Sequence, residues 1–483
     1  MTESEDLLVR RVTVDDAPLN RFHLRMTVFT DGGMFCDGYI LGIISIALVL
    51  MTPQFHLGTV WQGLIGASAL IGIFCGSLIF GLLTDLVGRQ KFYTFDLIVF
   101  LVASVLQLFI QGAVELFILR VIMGLAIGAD YAIGAPLLAE FLPRRHRGTL
   151  MASLNCAWTI GYVCAFVFGY AIKGLGPHSW RWMLASSAIP AAFTTLLRIG
   201  APESPRWLLS KGRIDEAEKI LKKYIHPDVR VEDLSSEANV GSDYRKLFDP
   251  RWRSRTIFAG LFWACQVLPS FVIGTFIPSI VRALGIRDEF TGSLFYNLSL
   301  LGGGIAGVIV MNMIARRRLT IGSFAVLSLA LLVVGVWPKA PTLVVGACIM
   351  VFAFVVSGAG NLETVYPSEI FPTEVRASGV GFAAGTNRVG AAGGTFLLPI
   401  VLGNWGVGAA LLGCCAVTLV GLAASVAWAP ETRGLTLSNA GAGGQRGAPA
   451  KVRSELCGAP RFRSSTGRLN TDAPFPARNG GPL

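Results

Sequence analysis

Runs of roughly 20 mainly apolar residues alternate with short polar connections along most of the chain, which is the pattern of helices that cross a bilayer. Such runs fall near residues 27–52, 59–84, 92–112, 116–139, 149–172 and 181–200, and again near 254–281, 291–314, 319–337, 341–366, 378–402 and 405–429. The pattern therefore predicts an all-α membrane protein with twelve transmembrane helices. Three stretches break the rhythm. Residues 1–26 are polar, without the short apolar core and small-residue cleavage site of a signal peptide, and are read as a tail that stays attached. Residues 201–253 form a hydrophilic insert in which Ile214–Tyr224 has the apolar spacing of a short amphipathic helix. Residues 438–483 turn to Gly, Pro, Ser and Arg and are expected to be a disordered basic tail.

The pattern is written twice. Glu140-Phe-Leu-Pro143-Arg-Arg-His-Arg147 and Glu369-Ile-Phe-Pro372-Thr-Glu-Val-Arg376 share the form Glu-x-x-Pro-x-x-x-Arg and stand 229 residues apart. Pro202-Glu203-Ser204 answers to Pro430-Glu431-Thr432 at an offset of 228, and Asp85-Leu-Val-Gly88-Arg89 answers in weakened form to Asn312-Met-Ile-Ala315-Arg316 at 227. A nearly constant offset marks a duplicated unit. The expectation is two pseudo-symmetric six-helix bundles, 27–200 and 254–437, joined by the insert.

Composition agrees with a bilayer setting. Of 483 residues, 53% are hydrophobic and only 15% charged, where soluble domains carry about 25% charged residues. The net charge of +11 does not indicate nucleic acid, because the basic residues gather in every second connection: Arg21, Arg25, Arg89, Lys91, Arg144, Arg145, Arg147, Arg316, Arg317, Arg318 and Arg376. The alternate connections hold fewer: Lys173, Arg181, Arg282, Arg287 and Lys339. Under the positive-inside rule this makes the first set, the insert and both termini cytoplasmic. The setting is then the plasma membrane, or the cell inner membrane in a bacterium. The nine cysteines lie mostly inside apolar runs without Cys-x-x-Cys spacing, so they are read as packing residues rather than metal ligands or disulfides. No Gly-x-x-x-x-Gly-Lys-Ser/Thr loop or hydrolase constellation occurs, so the chain is not expected to be an enzyme or to use ATP or a cofactor. Energy must come from a gradient. The partners expected are lipid, a small-molecule substrate and protons, around a monomer.

Gly81-Leu-Leu-Thr-Asp85-Leu-Val-Gly88-Arg89-Gln-Lys91 resembles the signature loop of the major facilitator superfamily, departing from it at Gln90. The Glu140 octet, Pro202-Glu-Ser-Pro-Arg-Trp207 and Pro430-Glu-Thr-Arg-Gly434 resemble sugar-porter-type signatures. The resemblance covers 27–437 and implies two six-helix bundles that rock about a central cavity, with a charged latch at the cytoplasmic face. Carried over by position, the latch is Asp85, Gly88, Arg89, Glu140, Arg147 and Glu203 in the first half, with Arg316, Glu369, Arg376 and Glu431 in the second. Glu140 is read with Arg147, and Glu369 with Arg376. Asn312 cannot supply a carboxylate, so the latch is expected to be asymmetric.

An ionisable side chain deep in a span costs about 2.5–3.5 kcal/mol on insertion scales and is a functional candidate for that reason. Asp31, Asp37, Arg120, Asp130, Glu363 and Arg388 qualify. The stretch around Asp37-Gly38-Tyr39 resembles the Asp-Gly-Tyr-Asp of metabolite:proton symporters, with Ile40 in place of the second acid, and Gly128-Ala-Asp130-Tyr131 resembles the Gly-Gly-Asp-Tyr of phosphate and organic-anion symporters. A buried carboxylate can load and release a proton near neutral pH. Asp37 and Asp130 are accordingly the proton-coupling candidates, with Arg120 as modulator or anion partner; a static Arg and Asp pair stabilising the first helix against the fourth is the structural alternative. The segment Gly379–Gly390 resembles metabolite symporters related to niacin and aromatic-acid carriers more than hexose porters. There Arg388 would pair with Glu363 or with a substrate carboxylate. Gln266, Tyr296, Asn297 and Asn361, among aromatics such as Trp263 and Phe276, complete the expected substrate site. The function expected is secondary active transport, proton-coupled symport of a small organic acid or related metabolite by alternating access. The alternatives are a sugar or polyol transporter, a drug exporter, or a non-transporting sensor on the same scaffold.

Overall fold

The computed structural model describes residues 13–234, 244–286, 288–371 and 376–432, and the side chains of Asp85, Asn312 and Arg376 are outside what it describes, as is the 438–483 tail. Among the described residues there is no strand. The first half holds α1 (Arg21–Met51), α2 (Thr59–Val87), α3 (Arg89–Leu106), α4 (Ala113–Phe141), α5 (Arg144–Ile172), α6 (Ser179–Ala185) and α7 (Ala188–Arg198). Two short helices, α8 (Pro205–Ser210) and α9 (Ile214–Tyr224), occupy the insert. The second half holds α10 (Arg253–Thr275), α11 (Ile277–Ala283), α12 (Glu289–Met313), α13 (Arg316–Val336), α14 (Thr342–Ile370) and α15 (Arg376–Trp428).

Nine helices among the described residues are long and apolar enough to cross a membrane, and local chemistry brings the crossings to twelve. Helix α3 is short and carries Arg89, Lys91 and Asp96. The sixth crossing is split at Ser186–Ser187, where Pro190 has no N–H for the Ser186 carbonyl. Helix α15 is two crossings joined at Gly406, whose φ of 80° and ψ of 176° only glycine adopts readily. The seventh crossing bends at Phe276, one residue before α11 opens with Pro278 in its first turn. At the other end of the chain α1 starts six residues before its apolar run. Asn20 caps it by accepting from His23 N at 3.0 Å, while His23 Nδ1 accepts from Asn20 N at 3.1 Å.

The two halves repeat one packing plan. Helix α1 lies on α5 and α2 on α4, while α10 lies on the first part of α15 and α12 on α14. The halves meet along α2–α15 and α5–α12, which are the same contact seen from either side of the pseudo-symmetry. Because lipid tails are as apolar as the side chains, such seams depend on close backbone approach rather than on hydrophobic burial. A Cβ on Gly124 of α4 would run into the Ala69 carbonyl oxygen of α2, and one on Gly128 would stand 2.6 Å from Ile73 O and Ser77 N.

Gly124→Val is therefore expected to lower stability by about 1–3 kcal/mol, because a backbone carbonyl cannot step aside. Gly322→Ala, whose Cβ would meet nothing within 4 Å, should be neutral or stabilising by up to about 1 kcal/mol. Thermal unfolding of the two variants in detergent checks the contrast.

Candidate functional site

Fully buried charge is concentrated in the first half, around Arg198 at the end of α7. This side chain is 1% exposed. Its Nη2 donates to Asp130 Oδ1 at 2.9 Å, its Nη1 to Tyr93 O at 2.6 Å and towards both Asp96 oxygens at 3.4 Å, and its Nε to Phe29 O at 3.1 Å. The guanidinium also lies 3.6 Å from the Tyr93 ring centroid. One cation so ties α1, α3 and α4 to α7, and Gly33 makes room for it, since a Cβ there would collide with Nη2. Asp37, one turn further along α1, is 0% exposed, and neither of its oxygens has a hydrogen-bond partner among the described residues, while the Asp130 carboxyl also meets that of Asp96. The charged groups in electrostatic reach of Asp37 are Asp130, Asp96, Arg198 and, from the second half, Arg388.

Arg120 takes no part in this hub. Its Nη2 donates to Ile40 O at 3.3 Å, and it forms no ion pair among the described residues. The static pair expected between the first and fourth helices is therefore not made by Arg120, which meets α1 only through the Ile40 carbonyl, while Asp130 is paired with Arg198 of α7. Asp31 is held by Ser153 of α5, whose hydroxyl donates to its oxygens at 3.0 and 3.1 Å.

The second half contributes a free cation at the boundary between halves. The Arg388 guanidinium on α15 stands 4.9 Å from the Tyr131 ring centroid of α4 and 5.9 Å from that of Phe271 on α10, with no ion pair among the described residues. Glu363 is in its electrostatic reach but accepts instead from Trp263 Nε1 at 2.8 Å. Trp263 is therefore a clamp on Glu363, and Phe276 packs against Gly66 of α2, so neither is a simple wall residue as the sequence suggests. Asn155 of α5 donates to Asn361 Oδ1 of α14 at 3.0 Å, and Trp158 is edge-on to Phe271 with centroids 6.0 Å apart. Gln266 donates to Val356 O at 3.4 Å and keeps Oε1 without a partner. Tyr296 is buried with its hydroxyl unpartnered, close to Tyr162, and Asn297 donates to Ser293 O of its own helix at 2.8 Å.

The expected latch residues form two matching clusters at the face that carries α8 and α9. Glu203 accepts from Arg89 N at 3.0 Å and Gln90 N at 3.2 Å, capping α3, while Arg89 and the Ser204 hydroxyl both meet Glu140. Gly88 links α2 to α3 at φ 109°, and a Cβ on it would lie 2.6 Å from Glu203 Oε2. In the second half Glu431 accepts from Arg316 N at 3.0 Å and Arg317 N at 3.2 Å, the Thr432 hydroxyl donates to Glu369 at 2.5 Å, and Arg316 Nε lies 3.5 Å from Glu369. Ala315 stands where Gly88 stands in the first half, but at φ −59°, so no glycine is required. Each of these clusters lies within one half. Arg147 does not meet Glu140: it pairs with Asp15 at 2.6 Å and donates to Leu142 O at 2.8 Å, tying the N-terminal segment to α5. The expected roles of Asp85 and Arg376 fall on side chains outside the described residues.

At the opposite face the halves touch. Lys173, at the end of α5, lies 4.1 Å from the ring centroids of both Tyr170 and Phe290, and the Tyr170 hydroxyl is 3.5 Å from that of Thr291 on α12. Nearby, a Cβ on Gly63 of α2 would run into the Phe396 carbonyl of α15.

Residues 26–442 match the model of a family described as Sugar (and other) transporter. The chain is 43% identical over 430 residues to the inner membrane metabolite transport protein YgcS of Escherichia coli (strain K12), covering 89% of this chain and 96% of the relative. It is 39% identical over 427 residues to the metabolite transport protein YaaU of the same strain, covering 88% and 96%. The xylose transporter XylE from E. coli, in a partially occluded inward-open conformation, has a TM-score of 0.76 at 20% identity and covers 86% of this chain and 100% of its own, a likeness of fold alone.

The matching caps generate a matching pair of outcomes. Glu203→Ala and Glu431→Ala should each cost about 0.5–2 kcal/mol, the range for losing a helix N-cap, and Gly88→Ala should cost more than Ala315→Gly. Thermal unfolding measures all four, and a large difference between the two glutamates would contradict the equivalence.

Proposed function

The chain belongs to the family of sugar (and other) transporters, and on that basis we propose that it is a proton-coupled symporter carrying a small organic acid or related metabolite by alternating access. It is a multi-pass membrane transporter and not an enzyme. The observation that carries the substrate class is Arg388, a guanidinium at the boundary between the halves that forms no ion pair among the described residues. Such a group is built to take a substrate carboxylate through two parallel N–H bonds. Tyr131, Trp158 and Phe271 offer ring faces and edges beside it, Asn155, Asn361 and Gln266 offer amides, and Tyr296, Asn297 and the Trp263-held Glu363 line the second-half side. A solute that touches both halves can be passed from one face to the other as they rock.

In this reading protons enter through the buried acids of the first half, Asp37 and Asp130, with Arg120 shaping the field from further along α4. A carboxylate in a low-dielectric interior bears its charge at high cost, which suits it to exchange a proton, and of the two Asp37 has no hydrogen-bond donor among the described residues while Asp130 is held by Arg198. The paired clusters around Glu140 and Glu369 serve as the cytoplasmic gate, with α8, α9 and both termini on that side of a bacterial inner membrane, in keeping with the basic connections and with the inner-membrane relative. The contacts of Lys173, Tyr170 and Phe290 then hold the two halves together at the outer face.

The test is uptake by the purified protein in liposomes over a panel of organic acids and sugars, with and without a proton gradient. Carboxylates should accumulate above their equilibrium level only with the gradient. Arg388→Gln should raise KM for carboxylates roughly 10- to 150-fold, the worth of a charged hydrogen-bonded contact. The double variant Asp37→Asn/Asp130→Asn should reduce accumulation to equilibration. Uptake of sugars alone, unaffected by Arg388→Gln, would favour the sugar reading, and accumulation indifferent to the gradient would remove the symport.

A further inference from the structure

The second half carries one acid beside Arg388, and its charge must be balanced against whatever that guanidinium binds. We propose that Glu363 of α14 takes up one proton when a substrate carboxylate binds Arg388, so that acid and proton occupy the site as a neutral pair. The proposal rests on the organic-acid reading of Arg388 and leaves open which first-half acid answers to the gradient.

Glu363 and Arg388 are both half-buried, as are Tyr131, Trp158, Trp263 and Phe271 near them, whereas Asp37 and Asp130 are sealed. The hydrogen bond to Glu363 comes from a neutral donor, the Trp263 indole N–H of α10 at 2.8 Å. Among the elements packed on α14, only α15 brings a charge within electrostatic reach of Glu363 among the described residues, and that charge is Arg388; α12 and α13 bring none. Along α14 itself the next titratable groups are engaged elsewhere, Tyr366 by Pro430 O and Glu369 by Arg316 and Thr432. Arg388 is in turn within reach of Asp37 of α1 and Tyr131 of α4.

Charge balance supplies the coupling. With the site empty, an ionised Glu363 and Arg388 sum to zero, although they form no ion pair among the described residues. A carboxylate placed on Arg388 withdraws that screening from Glu363 and leaves two anions to one cation in a poorly solvated place. A proton taken from water turns the Glu363 carboxylate into the neutral acid and restores the balance. The acid's carbonyl oxygen still accepts from Trp263, so the side chain keeps its place. By linkage, the bound proton strengthens carboxylate binding as much as the carboxylate strengthens proton binding. Carboxylate affinity is then full at pH values where Glu363 is protonated and falls by about tenfold per pH unit as Glu363 titrates, the slope for one proton.

Thermal stabilisation of the full-length protein in lipid nanodiscs, measured across pH, tests this with benzoate and gluconate as probes and benzyl alcohol and glucose as their uncharged counterparts. The carboxylates should bind with the tenfold slope. Glu363→Gln should hold their affinity at its acid-side value at every pH, Arg388→Gln should abolish it, and Asp37→Asn should leave the slope unchanged. Infrared difference spectra read the proton itself: a carboxylate probe added at fixed pH should produce a protonated-carboxyl band that is missing in Glu363→Gln, kept in Asp37→Asn and shifted in frequency by Trp263→Phe. Carboxylate binding that depends on Arg388 but not on pH overturns the proposal, as does a slope kept in Glu363→Gln and lost in Asp37→Asn. Binding of glucose or benzyl alcohol alone, indifferent to Arg388→Gln, removes the organic-acid reading and this proposal with it. If none of the four probes binds, pH-stepped spectra of the empty protein decide. A Glu363 band that titrates between about pH 5 and 9, and does so at higher pH in Arg388→Gln, supports the charge link, and its absence overturns it.

Discussion

A guanidinium shut off from water must have every N–H satisfied by the protein, and Arg198 meets that demand by drawing groups from three helices beside its own. Removing one partner of a buried ion pair leaves the other uncompensated and costs about 3–5 kcal/mol. The positions of α1, α3, α4 and α7 are therefore set together: Phe29 and Tyr93 supply carbonyls, Asp96 and Asp130 supply charge, and Gly33 supplies space. What the hub leaves over is as informative as what it uses. Asp37 sits beside it, buried and without a donor.

The duplication is kept where it is mechanical and abandoned where chemistry is done. At the loop-helix face both halves build the same device, a glutamate from beyond the last crossing of the half capping its third crossing and an arginine beside a second glutamate. Near mid-membrane they diverge. The first half holds the acids with their arginine, and the second holds Arg388 over a first-half ring and Glu363 clamped by Trp263.

The helices, the duplication and the motif clusters were legible because each rests on local physics. An apolar run long enough to cross a bilayer has one fate, and a motif that recurs at a nearly constant offset marks equivalent places in two halves, although the helices that Glu203 and Glu431 cap lie more than a hundred residues away in the chain. Gly88 was legible as a turn glycine because a φ of 109° is a local demand, while the Glu203 carboxylate at its back is brought there only by the packing. Arg147 was misread because its neighbour in sequence, Glu140, is engaged by Arg89 from another helix. Arg198 and Asp96 escaped notice because each lies near the end of an apolar run, where a charge reads as interfacial.

The amino-acid sequence by itself determined that this chain spans a membrane twelve times, in two related bundles, with charged motifs at recurring offsets, because spans and repeated motifs are written in contiguous residues. It also named Asp37, Asp130 and Arg388 as ionisable groups too deep to be incidental. Only the tertiary structure decided their partners. A buried charge takes whatever donor the packing brings within about 3 Å, and Asp130 with Arg198, Glu363 with Trp263 and Arg388 with Tyr131 are 68, 100 and 257 residues apart in the chain.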